Sequence, residues 1–193
     1  MVRKYTDLEI LKAVKALPSF KEIPTNFWIC GIRSKADISD KYDDKFYLFK
    51  NEQFIMVTTG TTNPGKAGLL KPVNEKGCAV VKSNEWYYDL WERGMHKGKM
   101  VALTQANDVL YCRDNDKDLS AEETENVRKG IIGINFHTCT YITDKQTLES
   151  IKGENIGLWS EGCQVCNVPT DYYHILDKVA LQKYVSYCIL LES

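Results

Sequence analysis

Cys163 and Cys166, three positions apart in GLWSEGCQVCN (157–167), hold the richest chemistry in this chain, with His137 and Cys139 upstream in NFHTC. Three readings fit these residue types. As ligands, His137, Cys139, Cys163 and Cys166 make a four-donor nitrogen and sulfur set of the kind that holds structural zinc. They do not make a zinc deaminase site, because Cys139 stands where that motif needs its proton-shuttling Glu and Gly162 where it has Pro. As a redox pair, Cys-x-x-Cys works at a helix N-terminus inside a βαβ unit, and no such unit is legible around Cys163. As a nucleophile, Cys163 follows Gly162, whose missing side chain lets a substrate carbonyl approach the backbone. The N–H groups of a tight turn there can converge on a developing oxyanion. A thiol attacks as thiolate and needs an imidazole to take its proton. His137, closing the strand-like run IIGINFH, is the candidate base. His96 in GMHKGK and His174 in DYYHIL are the other two histidines.

The elements that must position these groups come from a chain of 193 residues, long enough for one domain with a real core. Thr6-Asp7-Leu8-Glu9 reads as a capping box, and Leu8, Leu11, Val14 and Ala16 or Leu17 form an apolar stripe up to Pro18. Strand candidates follow at 26–33, 45–49, 53–60, 77–82, 99–105, 108–114, 130–137 and 183–191. Lys50-Asn51-Glu52 and Ala106-Asn107 look like hairpin connections, and 120–130 is polar enough to be an exposed loop. Cys30, Cys78, Cys112 and Cys188 sit in apolar runs and read as buried, inert thiols. Trp86, Tyr87, Tyr88 and Trp91 are either core or a sugar-stacking patch. The expected fold is one mostly β domain with an N-terminal helix and short helical insertions.

Composition narrows the function classes. The formal charge is −1 and no Lys/Arg run exceeds two residues, so nothing points to a nucleic-acid partner. No stretch approaches the roughly 18 apolar residues of a membrane span. The first residues, broken by Asp7, Glu9, Lys12 and Lys15, do not read as a signal peptide; synthesis in a bacterial cytoplasm without one is expected. Seven cysteines, an odd set in a chain of this length, do not suggest a secreted disulfide scaffold. Asp114, Asp116, Asp118 and Glu125 have a superficial calcium-loop spacing, but Leu119 replaces the turn-making Gly. TTNPGKAG (61–68) lacks the pattern of a phosphate loop.

INFH (134–137) followed by GLWSEGC (157–163) resembles the signature of the YkuD-like L,D-transpeptidase catalytic domains: a His closing a strand, a loop, then Ser/Thr-x-Gly-Cys. GIRS (31–34), TTGTTNPGKAGLLKP (58–72), GMHKGK (94–99), ALTQANDVLYCRDNDKD (102–118) and WSEGCQV (159–165) resemble the phage and prophage branch of that family. The resemblance runs from about residue 26 onward, with 1–25 as a helical lead-in to a single domain over 1–193. It implies a β-sandwich or barrel-like fold and a site that needs no cofactor. Cys163 would be the nucleophile and His137 the base, oriented by a backbone carbonyl. Gly162 and Cys163 would lend N–H groups to an oxyanion hole, and Ser160 would brace the turn. His96, Trp159, Glu161 and Gln164 would contact substrate. Glu161 stands where the family usually has His, Gln164-Val165 replaces Ile-Arg, and the loop between His137 and Cys163 is longer than in bacterial members. A carboxylate beside the thiol would tend to raise its pKa.

The chemistry so implied is attack on a peptidoglycan stem peptide after its third residue, loss of the terminal D-alanine and a thioacyl-enzyme. An amine acceptor would give transpeptidation and water would give carboxypeptidation. The protein would act at the cell wall, in the periplasm or within a virion. Two alternatives stay open: a non-catalytic phage structural or wall-binding protein on the same fold, and a zinc-stapled structural domain.

Overall fold

The computed structural model describes residues 1–36, 38 and 40–193, with Lys145 described by its backbone alone. The capping box forms as the sequence predicts. Thr6 Oγ1 accepts from the Glu9 N–H at 3.3 Å and Glu9 Oε2 accepts from the Thr6 N–H at 2.8 Å, opening α1 (Asp7–Lys15). The buried stripe is Ile10, Leu11 and Val14, while Leu8 is exposed. Ile10 replaces Leu8 because i, i+1, i+4 meets the barrel wall once the helix lies along it. Each such side chain contributes roughly 1.5–3 kcal/mol relative to exposure.

Strand outweighs helix, 37% to 14%, so the protein is mostly β as expected. In chain order the remaining elements are β1 (Phe27–Arg33), β2 (Asp44–Lys50), β3 (Gln53–Thr61), α2 (Lys66–Leu70), β4 (Cys78–Val81) and β5 (Glu85–His96). Then come β6 (Met100–Gln105), β7 (Val109–Asp114), β8 (Arg128–Gly130), β9 (Phe136–Thr138), α3 (Lys145–Leu148), β10 (Gln164–Cys166), α4 (Pro169–Lys178) and β11 (Tyr184–Leu191). A closed barrel runs β1-β11-β5-β6-β9-β10-β3-β2, and β4-β7-β8 form a separate sheet. The β1–β11 and β9–β10 pairs are parallel.

Burial on both faces explains why β1 and β11 are apolar apart from Arg33 and Ser186. Ile29, Tyr187 and Ile189 enter the barrel interior with Phe46, Trp91, Leu103 and Phe136. Trp28, Cys30, Ile32, Cys188 and Leu190 face outward, where α1 covers them together with Phe49 and Trp86. The aromatic run on β5 is split the same way: Tyr87 and Trp91 go inward and Trp86 goes under α1. These three are core, and Tyr88, half-buried, stacks on Trp86.

Two segments depart from the sequence-based expectation. The residues 106–107 do not join a hairpin, because β6 belongs to the barrel and β7 to the small sheet. Their N–H groups fold back onto the Leu90 carbonyl at 2.7 and 3.3 Å. The run 130–137 is not one strand: it leaves β8 at Gly130, passes Gly133 at φ +84°, and re-enters as β9. Gln105 causes that break, since its Oε1 accepts from the N–H groups of Ile132, Gly133 and Ile134 at 2.9–3.0 Å. A side chain that takes three consecutive amides removes them from any ladder.

Candidate active site

The turn carrying Cys163 is tied from several directions. Ser160 Oγ donates to the Cys163 carbonyl at 2.8 Å and accepts from the Gly162 N–H at 3.1 Å. The Gly65 N–H, just before α2, donates to the Ser160 carbonyl at 2.9 Å. From β4, the Ala79 N–H donates to the Glu161 carbonyl at 3.0 Å. Gln164 Nε2 donates to the Gly162 carbonyl at 3.2 Å and receives support from below, where Tyr187 Oη donates to Gln164 Oε1 at 2.7 Å. Gly31 leaves the room for that hydroxyl, since a Cβ there would collide with it. The turn is therefore preorganised by both sheets at once.

Gly162 has φ +134°, and a Cβ on it would come within 2.6 Å of the Ala79 carbonyl. Two separate reasons thus demand glycine there. The expected roles shift accordingly. The open side of Gly162 is filled by β4, not left for substrate, and its N–H is occupied by Ser160. Gln164, expected to touch substrate, is fully buried and holds the turn.

β9 and β10 lie side by side with Val165 opposite His137, which brings the base alongside the nucleophile turn. His137 is fully buried. Its Nδ1 lies 2.8 Å from the Thr138 carbonyl. A carbonyl can only accept, so Nδ1 carries the proton and Nε2 holds the free lone pair. That Nε2 is buried and has no hydrogen-bond partner. Cys163 Sγ, half-buried, points toward the Gly133 carbonyl at 3.5 Å. His96, at the end of β5, stacks on His137 with ring centroids 4.0 Å apart and planes 26° off parallel. One ring nitrogen from each histidine and Cys163 Sγ lie mutually within 4.8 Å.

Electrostatics set the resting state. Burial pushes His137 down to about 3, with His96 and Lys97 adding to the effect against the main-chain groups of Thr138 and Trp159. Burial, then Lys97, pushes His96 down to about 4. The Cys163 thiol is pushed up by burial, against a main-chain N–H of Asn135 and the charge of Lys97, with Glu161 adding a smaller upward push. At neutral pH the site holds a neutral thiol beside two neutral imidazoles. Proton transfer must then accompany attack, rather than precede it as a standing ion pair.

Trp159 and Tyr141 form the rim, with ring centroids 5.0 Å apart, Trp159 reaching His137 at 6.4 Å and the Lys99 ammonium 5.3 Å over Tyr141. His174 is exposed on α4 and takes no part in the cluster.

The four-ligand zinc set is not assembled. Cys166 lies three residues along an extended segment from Cys163, so it faces the opposite side. It enters the barrel core, with Sγ 3.4 Å from Thr58 Oγ1 and donating to the Val168 carbonyl at 3.3 Å. Cys139 Sγ donates to the Asn167 carbonyl at 3.6 Å, away from the cluster. The calcium-loop spacing also fails: Asp114 and Asp116 gather with Glu122, not with Glu125.

Sequence reasoning missed Gln105 and Asn135. Gln105 shapes the loop whose Gly133 carbonyl receives the thiol, and its Nε2 donates to the Asn107 and Gly130 carbonyls at 2.8 and 3.0 Å. Asn135 bridges that loop to His96, with Nδ2 3.0 Å from His96 Nδ1 and Oδ1 accepting from the Gln105 N–H at 3.0 Å.

Comparison with family models, with curated proteins and with solved structures returned no match for the chain. Among the described residues no helix is long and apolar enough to cross a membrane.

Proposed function

We propose that the protein is a cysteine acyl transferase or hydrolase of the L,D-transpeptidase kind, acting on peptidoglycan stem peptides through a thioacyl-enzyme. One observation carries this reading. His137 has its Nδ1 pinned by a carbonyl and its Nε2 buried without a partner, in the same cluster as the Cys163 thiol. An unpaired buried nitrogen costs stability, so its presence calls for an explanation such as catalysis. A base needs that geometry. The peptidoglycan substrate rests on the resemblance of Ser160-Glu161-Gly162-Cys163 and the preceding His137 to the family signature.

The steps follow from the groups present. His137 Nε2 takes the thiol proton as Sγ attacks the carbonyl carbon of the amide after the third stem residue, and the C=O electron pair moves to oxygen. When that oxyanion collapses, the C–N bond breaks and D-alanine leaves with the proton from His137. The thioester left on Cys163 is then attacked by an amine or by water, which gives its proton to Nε2. The sulfur departs and is reprotonated. Trp159, Tyr141 and Lys99 form the wall along which the stem would lie, and the nearby Lys97 supplies positive charge for a stem carboxylate. The site of action would be the bacterial cell wall.

Purified protein incubated with tetrapeptide-bearing muropeptides tests this. Free D-alanine should appear, with either a new cross-link or a tripeptide stem, and Cys163→Ala and His137→Asn should both lose it. Intact muropeptides after exposure to folded wild-type protein would overturn the substrate.

A further inference from the structure

The oxyanion in that scheme needs hydrogen-bond donors, and of the two main-chain N–H groups expected, that of Gly162 is engaged by Ser160 Oγ, which leaves that of Cys163. His137 cannot serve, because its Nε2 handles the proton. His96 is the polar side chain left beside the sulfur to act with that N–H. The residue is 5% exposed, its ring held by stacking on His137 and fixed from outside by Asn135.

Asn135 also decides which nitrogen of His96 carries hydrogen. The Gln105 backbone N–H can only donate, so the Asn135 atom facing it must be the oxygen. The other end of that amide is then the NH2 group, and it donates to His96 Nδ1. An Nδ1 that accepts bears no hydrogen, which leaves hydrogen on Nε2 of the neutral ring. The two stacked histidines thus hold opposite tautomers: His137 protonated at Nδ1 and His96 at Nε2. Gln105 in turn is fixed by its own contacts to 130–134, so the amide cannot flip without breaking that bond.

Resting on the acyl-transfer reading of this site, we propose that His96 donates a hydrogen bond from Nε2–H to the oxyanion formed when Cys163 attacks a carbonyl. A ring nitrogen of His96 lies within 4.8 Å of Sγ, and the length of a sulfur–carbon and a carbon–oxygen bond carries the new oxygen toward that ring. Neutrality of His96 serves the step as well. Attack turns His137 into a cation, and a second cation stacked 4.0 Å away would oppose it. A neutral donor stabilises the oxyanion without that penalty.

The same tautomer argues against a metal at this cluster. Ligation by Nε2 would demand hydrogen on Nδ1, facing the NH2 of Asn135. Two donors would then meet, a cost no second-shell partner offsets.

The test has a part that needs no substrate. Long-range 1H–15N correlation spectra of the 15N-histidine-labelled full chain read the tautomers directly. Hydrogen on Nε2 of His96 and on Nδ1 of His137 is expected; hydrogen on Nδ1 of His96 overturns the proposal. The second part compares two reactions of Cys163: acylation by a p-nitrophenyl ester, which passes through an oxyanion, and alkylation by iodoacetamide, which does not. The ratio of acylation to alkylation rate constants should fall about 100-fold in His96→Ala. Asn135→Asp, which places an acceptor against Nδ1 and so moves the hydrogen there, should lower the ratio too. His96→Gln, which restores an N–H donor, should recover part of it. Equal losses in both reactions would mean a merely structural role. Because the ester is not a stem peptide, failure of the peptidoglycan reading would show separately, as intact muropeptides beside a normal ester reaction.

Discussion

Ser160 holds the main chain of Cys163 through its hydroxyl, which donates to the Cys163 carbonyl at 2.8 Å while accepting the Gly162 N–H at 3.1 Å. One buried oxygen thus closes the turn that aims the thiol. Ser160→Ala should cost about 1–3 kcal/mol of stability, because it strands the Gly162 amide and the Cys163 carbonyl. Acylation of Cys163 should slow by roughly 10-fold to 100-fold as the turn loosens. Thermal melting together with ester acylation rates measures both. An unchanged melting midpoint with an unchanged rate would remove Ser160 from the positioning role.

The thiol has no standing ion pair with His137. Its pKa lies above the ordinary value of 9.0, pushed there by burial, and His137 stays neutral down to about 3. Alkylation by iodoacetamide should therefore climb steadily as pH rises through the neutral range toward and beyond 9. A thiolate–imidazolium pair would instead give a plateau across that range, and observing one would contradict the neutral resting state.

The two histidines make acid costly. Each has a folded pKa below the unfolded 6.5, about 4 for His96 and about 3 for His137. Between those values and 6.5 the unfolded chain binds more protons than the folded one, so stability is full above 6.5 and falls as pH drops through that window. The melting midpoint should decline from pH 6.5 toward 4, and the decline should be shallower in a His96→Gln, His137→Gln double variant. Identical slopes in both proteins would mean that other groups set the acid sensitivity.

Local signals made part of this structure legible. The Thr6–Glu9 capping box and the apolar runs of β1, β2, β3 and β11 are written in contiguous residues. β5 escaped because its alternation breaks at Asp89, which takes φ +52° beside a register shift against β11. α4 escaped although its signals were present: Pro169 at the first turn, then Tyr172, Ile175 and Leu176 on one buried face. At the site, the pairing of His137 with Cys163 and the bracing by Ser160 were open to motif reasoning. The Gln105–Asn135–His96 relay was not. It joins residues 30 and 39 positions apart, and no local pattern encodes which amide will meet which ring. Gln164 was misassigned for the same reason, since its hydrogen-bond partner, Tyr187, lies 23 positions away.

The most direct measurement is the intact mass of wild type, Cys163→Ala and His137→Gln after incubation with a carbapenem, the class of acylating agent that the family resemblance points to. A single adduct on wild type, absent from Cys163→Ala and slower by about 100-fold or more in His137→Gln, is the predicted result. Folded wild-type protein that stays unmodified, or an adduct that persists in Cys163→Ala, would contradict Cys163 as an acyl-accepting nucleophile activated by His137.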